Sequence, residues 1–491
     1  MNLSEFLKAE PGIAEHPVME YRGVALSRRE LFERAERVAL HWLQMGLEPG
    51  DGVALLLRHP AVHLVCLLAV ARMAAVAAVF KPDNPGFAEG GDMHRLGFRT
   101  LVHDLPALTP DVEARFERVL GARELLMGQP KALLEASHAH LAGDHSTRPW
   151  YLPQSSGTTG QPKTVVVSQT NTLVALQMGD QFEASDRVLV FTDMSMYWTV
   201  LNVMRILRAG ATCLPVSTGS LPGTLLKAMH EMRANKLLLS ADAAAKLLSY
   251  MEDFGPAALG GHRLDQVCIG GGQVSPALAK GLHAFLGAKI MVVYGSTEAG
   301  PMAYVHGAER HAHVLHCLYP GVQAEVVDDA DQVLPTGQQG RLRIHTPALF
   351  SGYLQGDQWP KQAPQWFYPG DLAVLQPQGL QLMGRADHVL NLGGLKIDPE
   401  TLEQVFRADP AVLDAAVMAV PLGEKQVRVL VALLVLKSAD KLPEVRAAFE
   451  RQHAKALQPQ HYALVHELPR NLSGKLQRGL LLQMVRLESV S

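Results

Sequence analysis

Apolar positions along this chain alternate between two textures, short continuous runs suited to buried strands and amphipathic stretches suited to helices, and the alternation predicts an α/β fold. Residues 53–57 read as a strand, Pro60 opens a helix, and residues 75–80 are extended again. That strand–helix–strand unit implies a parallel sheet. A helix reaching about Gly46 precedes it, announced by Ser27 and Glu30 at the spacing of a capping box. Although 53–80 is the most apolar region, Arg58, His59, His63 and Arg72 interrupt it, and a spanning helix needs about 20 apolar residues in a row. No membrane span is therefore expected.

A short strand is expected over 100–103, within a stretch from 85 to 148 that otherwise carries little signal. Two extended runs follow, 150–154 and 164–168, the second rich in β-branched residues. Strands over 187–191, 211–216, 236–240, 266–269 and 289–294 then alternate with helices over 200–208, about 225–233 and 276–285, and one more after 240. They form a second α/β layer able to pack on the first. From Gly321 the texture changes to short strands at 323–327, 340–345, 372–375 and 380–383, a small antiparallel or barrel-like lobe. The tail reads as helix 399–407, strands 415–420 and 427–436, helix 443–453 and a last strand near Ala463. About a hundred such residues can form an independent α+β domain, so the expected division is 1–386 and 387–491, with its boundary near Asp387.

Composition narrows the partners. A chain of 491 residues implies two to four domains or lobes, and a hydrophobic fraction of 48% with 19% charged residues is that of a well-packed globular protein. Net charge is only −3, which favours neither nucleic acid nor an anionic membrane. Cys66, Cys213, Cys268 and Cys317 are scattered without a CxxC pair, and residues 1–10 contain no apolar core, so a reducing cytoplasm is expected.

Candidate chemistry lies between the elements. Ser155, Ser156, Gly157, Thr158, Thr159, Gly160, Gln161, Pro162 and Lys163 make a loop of donors, which is either a phosphate cradle or the polar tip of a hairpin. It is not a Walker loop: Pro162 stands where the second glycine should, and a strand follows. Gly270, Gly271, Gly272 and Gln273 turn a strand into a helix. Val292 and Val293 occupy the place of the acidic residue a dinucleotide site would want. Tyr294, Gly295, Ser296, Thr297 and Glu298 end a strand where ligands bind open α/β sheets, and a carboxylate beside phosphate donors suits Mg²⁺. Asp371 follows Gly370 in a turn and either accepts ribose hydroxyls or is an ordinary turn residue. Lys475 follows Gly474 in a late loop. His311, His313, His316 and Cys317, with His306 nearby, have metal-binding residue types, yet their spacing matches no zinc pattern and they are expected in a connecting loop.

In this order the motifs resemble the AMP-forming acyl and aryl ligase superfamily of acyl-CoA synthetases, firefly luciferase and nonribosomal-peptide adenylation domains. The matches are residues 155–163, Tyr294 to Glu298, Gly384-Arg385-Ala386-Asp387 and Gly474-Lys475, within a resemblance from about Tyr21 to Lys475. It implies a large domain of two stacked α/β sheets with a barrel-like lobe, and a small mobile C-terminal domain hinged at Asp387. It also implies that a carboxylic acid is activated by ATP as an acyl-adenylate, then transferred to a thiol.

Carried over by position, residues 155–163 would hold the β and γ phosphates, Thr297 the α-phosphate and Glu298 the Mg²⁺. Gly271, Gly272 and Gln273 would line the adenine, and Asp371 and Arg385 the ribose. Lys475 would bridge acid, α-phosphate and ribose. Gly393 and Gly394 would let the pantetheine arm of CoA pass.

The chain departs from the pattern at Thr164, Pro369 and Asn391, where relatives usually carry glycine, threonine and often lysine. Tyr197 and Trp198 stand near the expected acid pocket without the usual histidine, and either stack on an aromatic acid or fill core. The acceptor is CoA or a separate phosphopantetheine carrier protein, and the alternative of another class is a nucleotide binder without turnover.

Overall fold

A computed structural model describes residues 2–9, 14–80, 97–122, 147–155, 163–179, 182–217, 220–255, 263–272, 274–307, 315–355, 358–386, 390–392, 395–397, 399–422, 427–470 and 476–485. Among them the strands form one sheet of 13 strands, one of 8, and two small sheets of 2 and 3. The first α/β unit takes the expected form. Strand Gly52–Leu56 leads through helix Pro60–Met73 to strand Val76–Val79, parallel to the first with Val53 opposite Ala77. The helix is apolar on nearly every side and buried everywhere except at Ala61 and Arg72, as such a helix must be. Arg72 pairs at its end with Glu5 at 2.6 Å and Glu36 at 3.2 Å. Before it, helix Arg28–Gln44 starts from the expected capping box, in which the Glu30 amide donates to Ser27 Oγ and the Ser27 amide to Glu30 Oε2.

In the 13-stranded sheet, strands Thr212–Pro215, Arg187–Phe191, Lys236–Ser240, Gln266–Gly270 and Lys289–Ser296 lie side by side and parallel. Their carboxyl ends share one edge. The later strands Gln323–Val327, Gln339–His345, Asp371–Gln376 and Gly379–Arg385 are antiparallel, as expected. Rather than standing apart they continue the same sheet: Gly379–Arg385 pairs with Leu315–Leu318, which pairs with Gly300–His306, which pairs with Lys289–Ser296. Leu315–Leu318 is thus a strand and not part of a connecting loop, because edge groups on both neighbours need partners; Leu318 lies opposite Ala303 and Leu315 opposite Gln381. His311 and His313 lie outside the described residues.

The 8-stranded sheet carries the hairpin of interest. Val165, Val166 and Val167 are at most 1% exposed, as a β-branched run between two neighbouring strands should be. Strand Lys163–Ser168 pairs with Pro149–Tyr151, with Gln154–Ser155 and with Gly352–Leu354. Two backbone bonds then tie the sheets together: the Phe350 amide donates to Glu298 O at 2.8 Å and the Ser351 amide to Val166 O at 2.9 Å. The largest core cluster accordingly mixes Val165 and Val167 with Val188, Val190 and Met291.

In the tail, strands Val412–Leu422 and Val427–Leu436 are antiparallel, and His461–Leu464 runs parallel to the second. Phe406 of helix Pro399–Arg407 stacks on Phe449 of helix Leu442–Gln452, with ring centroids 4.0 Å apart. Asp387, the expected boundary, lies outside the described residues.

Candidate active site

The carboxyl edge of the parallel strands assembles the site. Gly270 ends its strand opposite Val293, so Tyr294, Gly295 and Ser296 project beyond it. Gly270 has to be glycine: a Cβ there would lie 2.5 Å from Cζ2 of Trp198. Trp198 therefore lies against this edge, half-buried. Tyr197 does not share that position. It is 5% exposed within the core, with its hydroxyl 3.0 Å from Thr172 Oγ1 and its ring 5.7 Å from that of Tyr151. Of the two readings of Tyr197, the core reading is the one its surroundings match, because its only polar atom is already engaged.

The continuous sheet brings Tyr294 to Asp371. Its hydroxyl donates to Asp371 Oδ2, and burial together with the Asp371 charge pushes the phenol pKa up, keeping the donor proton in place. Arg385 stands directly across the ladder from Asp371, with Nη1 3.5 Å from Oδ1 and donating to Pro369 O at 2.7 Å. Gly370 makes room for this. Its φ is +81°, and a Cβ would meet Arg385 Nη2 at 2.8 Å. The Asp371 carboxylate is thus oriented by one hydroxyl and balanced by one guanidinium, a fit for neutral hydroxyl ligands.

Glu298 is held differently. It lies within the turn that begins at Thr297, is 7% exposed and, among the described residues, receives one side-chain hydrogen bond, from Tyr353 Oη to Oε1 at 3.0 Å. Among the described residues no cation pairs with it. A nearly buried carboxylate without a counter-charge is costly, and its hard oxygen donors fit a divalent cation such as Mg²⁺. On the other side of Tyr353, the Lys163 ammonium lies 5.1 Å from the ring centroid. A cleft of about 630 Å³ is lined by Lys163 and Tyr353 together with Trp359, Lys361, Trp366 and Tyr368.

These contacts form two groups, Lys163–Tyr353–Glu298 and Tyr294–Asp371–Arg385, which the chain joins over the short stretch from Tyr294 to Glu298. Residues 9–354 match the AMP-binding enzyme family, and residues 401–475 match the AMP-binding enzyme C-terminal domain. The chain belongs to the AMP-binding enzyme family. This AMP-binding enzyme is 26% identical over 483 residues to a 4-chlorobenzoate–CoA ligase of Arthrobacter sp, covering 94% of this chain and 90% of the relative. It is also 26% identical over 507 residues to the medium-chain fatty-acid–CoA ligase of Escherichia coli strain K12, covering 94% and 86%. Its fold is similar to that of the anthranilate CoA ligase AuaEII, solved with anthranoyl-AMP, at a TM-score of 0.87 and 19% identity over 100% of this chain and 98% of that one.

In this AMP-binding enzyme the described residues Lys163, Tyr294, Glu298, Asp371 and Arg385 come together, with Gly271 and Gly272 on the adjacent strand end. Ser296 Oγ accepts from the Ala299 amide at 3.1 Å and so closes the turn that presents Thr297 and Glu298. Ser155 is placed by its backbone pairing with Lys163, which makes the two ends of the loop a hairpin. Ser156, Gly157, Thr158, Thr159, Gly160, Gln273, Asp387, Gly393, Gly394 and Lys475 lie outside the described residues. Tyr353 had not been singled out from the sequence. Its place depends on pairing opposite Val165, which no local pattern reveals.

Proposed function

We propose that the protein joins a carboxylic acid to a thiol in two steps driven by ATP. In the first, a carboxylate oxygen attacks the α-phosphorus, the bond to the bridging oxygen breaks, and pyrophosphate leaves with the electron pair. In the second, the thiol sulfur of CoA attacks the acyl carbon and AMP departs. No general base is needed in the first step, because the acid is already ionised at neutral pH. The observation that carries this reading is that one strand end, Tyr294 to Glu298, meets Asp371 and Arg385 through Tyr294 and meets Tyr353, beside Lys163, through Glu298.

In this reading residues 155–163 hold the β and γ phosphates, Thr297 the α-phosphate, and Gly271, Gly272 and Gln273 the adenine. Asp371 and Arg385 hold the ribose. Glu298 binds Mg²⁺, whose charge would offset that of the phosphate oxygens. Lys475, carried by the tail, stabilises the charge that gathers where two anions meet. Turning at Asp387 would then replace Lys475 by the segment bearing Gly393 and Gly394 for thioester formation.

The test is pyrophosphate release with ATP, Mg²⁺ and a panel of aliphatic, aryl and amino acids. Release with a subset of acids, followed by AMP release when CoA is added, is the expected result. Transfer only to an added carrier protein would make the protein a carrier-loading enzyme. Silence with every acid, alongside measurable ATP binding, would contradict turnover.

A further inference from the structure

Tyr353 has no part in the proposed reaction, yet it contacts both Lys163 and Glu298. It lies on strand Gly352–Leu354, an edge strand paired with Lys163–Ser168, while Glu298 belongs to the other sheet. Phe350, three residues earlier, fixes Glu298 through the backbone, and its ring meets the Tyr353 ring edge-on at 4.9 Å. Position and direction of the Tyr353 hydroxyl are therefore set by the framework and not by its own side chain alone.

We propose that Tyr353 is a positioning residue that sets the cation preference of this enzyme: its hydroxyl donates to Glu298 Oε1, so that Oε2 is the freer oxygen offered to a divalent cation. The proposal rests on the reading that Glu298 binds the metal accompanying ATP. An oxygen that already accepts a hydrogen bond keeps one lone pair and is the weaker donor to a cation, so binding through Oε2 alone is favoured over chelation by both oxygens. Mg²⁺, small and octahedral, binds carboxylates through one oxygen and keeps its waters. Ca²⁺ gains from carboxylates that bind with two oxygens. The hydrogen bond from Tyr353 thus selects against the larger ion while keeping Glu298 turned toward the smaller one.

The experiment measures ATP binding without acid, so that no turnover occurs, as a function of Mg²⁺ or Ca²⁺, in wild type, Tyr353→Phe and Glu298→Gln. Tyr353→Phe keeps the ring against Phe350 and Lys163 and loses only the hydroxyl. The expected result is an about tenfold rise in the half-saturating Mg²⁺ concentration, the size typical of losing a partner of a metal ligand, with the Ca²⁺ requirement unchanged or lower. Superimposable metal curves, or equal shifts for both ions, would overturn the proposal, since a merely structural tyrosine moves both alike. Glu298→Gln separates the layers: if metal-dependent ATP binding survives it, the underlying metal assignment fails whatever Tyr353→Phe does. Denaturant unfolding of Tyr353→Phe, expected to show one cooperative transition close to that of wild type, confirms that the binding curves report a folded protein.

Discussion

Two tyrosine–carboxylate pairs stand a few residues apart in this molecule and differ in one respect. Tyr294 donates to Asp371 and Tyr353 donates to Glu298, but among the described residues only Asp371 also has a guanidinium beside it. The pair with Arg385 is electrically complete, so it can greet a ligand of neutral hydroxyls without further adjustment. The pair at Glu298 holds a net negative charge at 7% exposure. Such a charge persists at a cost that a bound cation removes. A third carboxylate, Glu403 in the tail, shows the purely structural solution. At 1% exposure it receives Arg478 at 2.9 Å, Arg407 at 3.4 Å and the Val417 amide at 2.8 Å. Burial nevertheless leaves its pKa raised, against the pull of both arginines. Among the described residues the number of cations around each carboxylate thus distinguishes the proposed place for a metal from the proposed place for a sugar and from a structural brace.

Removing the charge at the unbalanced site has the largest expected effect. Glu298→Gln keeps the acceptor for Tyr353 and deletes the charge, and should lower the rate of pyrophosphate release about 10²–10³-fold, the range seen when one transition-state contact is lost. A rate within a fewfold of wild type would erase the distinction between the two pairs. Next comes the structural brace. Arg478→Met takes one cation from Glu403 and should reduce the unfolding free energy of the tail by about 3 kcal/mol in denaturant titrations, with no change in the metal requirement. A loss under about 1 kcal/mol would mean that Arg407 alone suffices.

A buried group that carries no charge gives a further contrast. His63 is fully buried, its Nε2 has no hydrogen-bond partner among the described residues, and burial lowers its pKa from 6.5 to about 4 against the opposing charges of Asp193 and Asp104. The folded protein refuses a proton that the unfolded chain accepts between these values. Its stabilising contribution is whole above about pH 6.5 and drains away toward pH 4, by about 3 kcal/mol in total. Wild type should therefore lose about 3 kcal/mol of unfolding free energy relative to His63→Leu as pH falls from 6.5 to 4; parallel curves would contradict the assignment.

Much of this arrangement was legible in the chain because it is local. The capping box at Ser27, the apolar runs that became parallel strands and the β-branched run at Val165 to Val167 each declare themselves within a few residues. Tyr294, Gly295 and Ser296 also end a strand at the carboxyl edge of the parallel strands, as expected. What was not legible depends on register across long separations. Tyr353 meets Glu298 only because Gly352 lies opposite Val166. Leu315–Leu318 becomes a strand only through neighbours at 303–304 and 380–381. The helix expected from Val200 begins at Tyr197, where Tyr, Trp and Thr have weak intrinsic helix preference and burial decides instead.

The most direct test of the charge-balance account is thermal unfolding of wild type, Glu298→Gln and Asp371→Asn, each with and without ATP and Mg²⁺. Without ligand, Glu298→Gln should be at least as stable as wild type, because an uncompensated charge is relieved, and Asp371→Asn should be less stable, because Arg385 loses its partner. With ligand, Glu298→Gln should lose the part of the stabilisation that depends on Mg²⁺. A Glu298→Gln protein that is destabilised alone and still gains the full increment from ATP and Mg²⁺ would contradict the account.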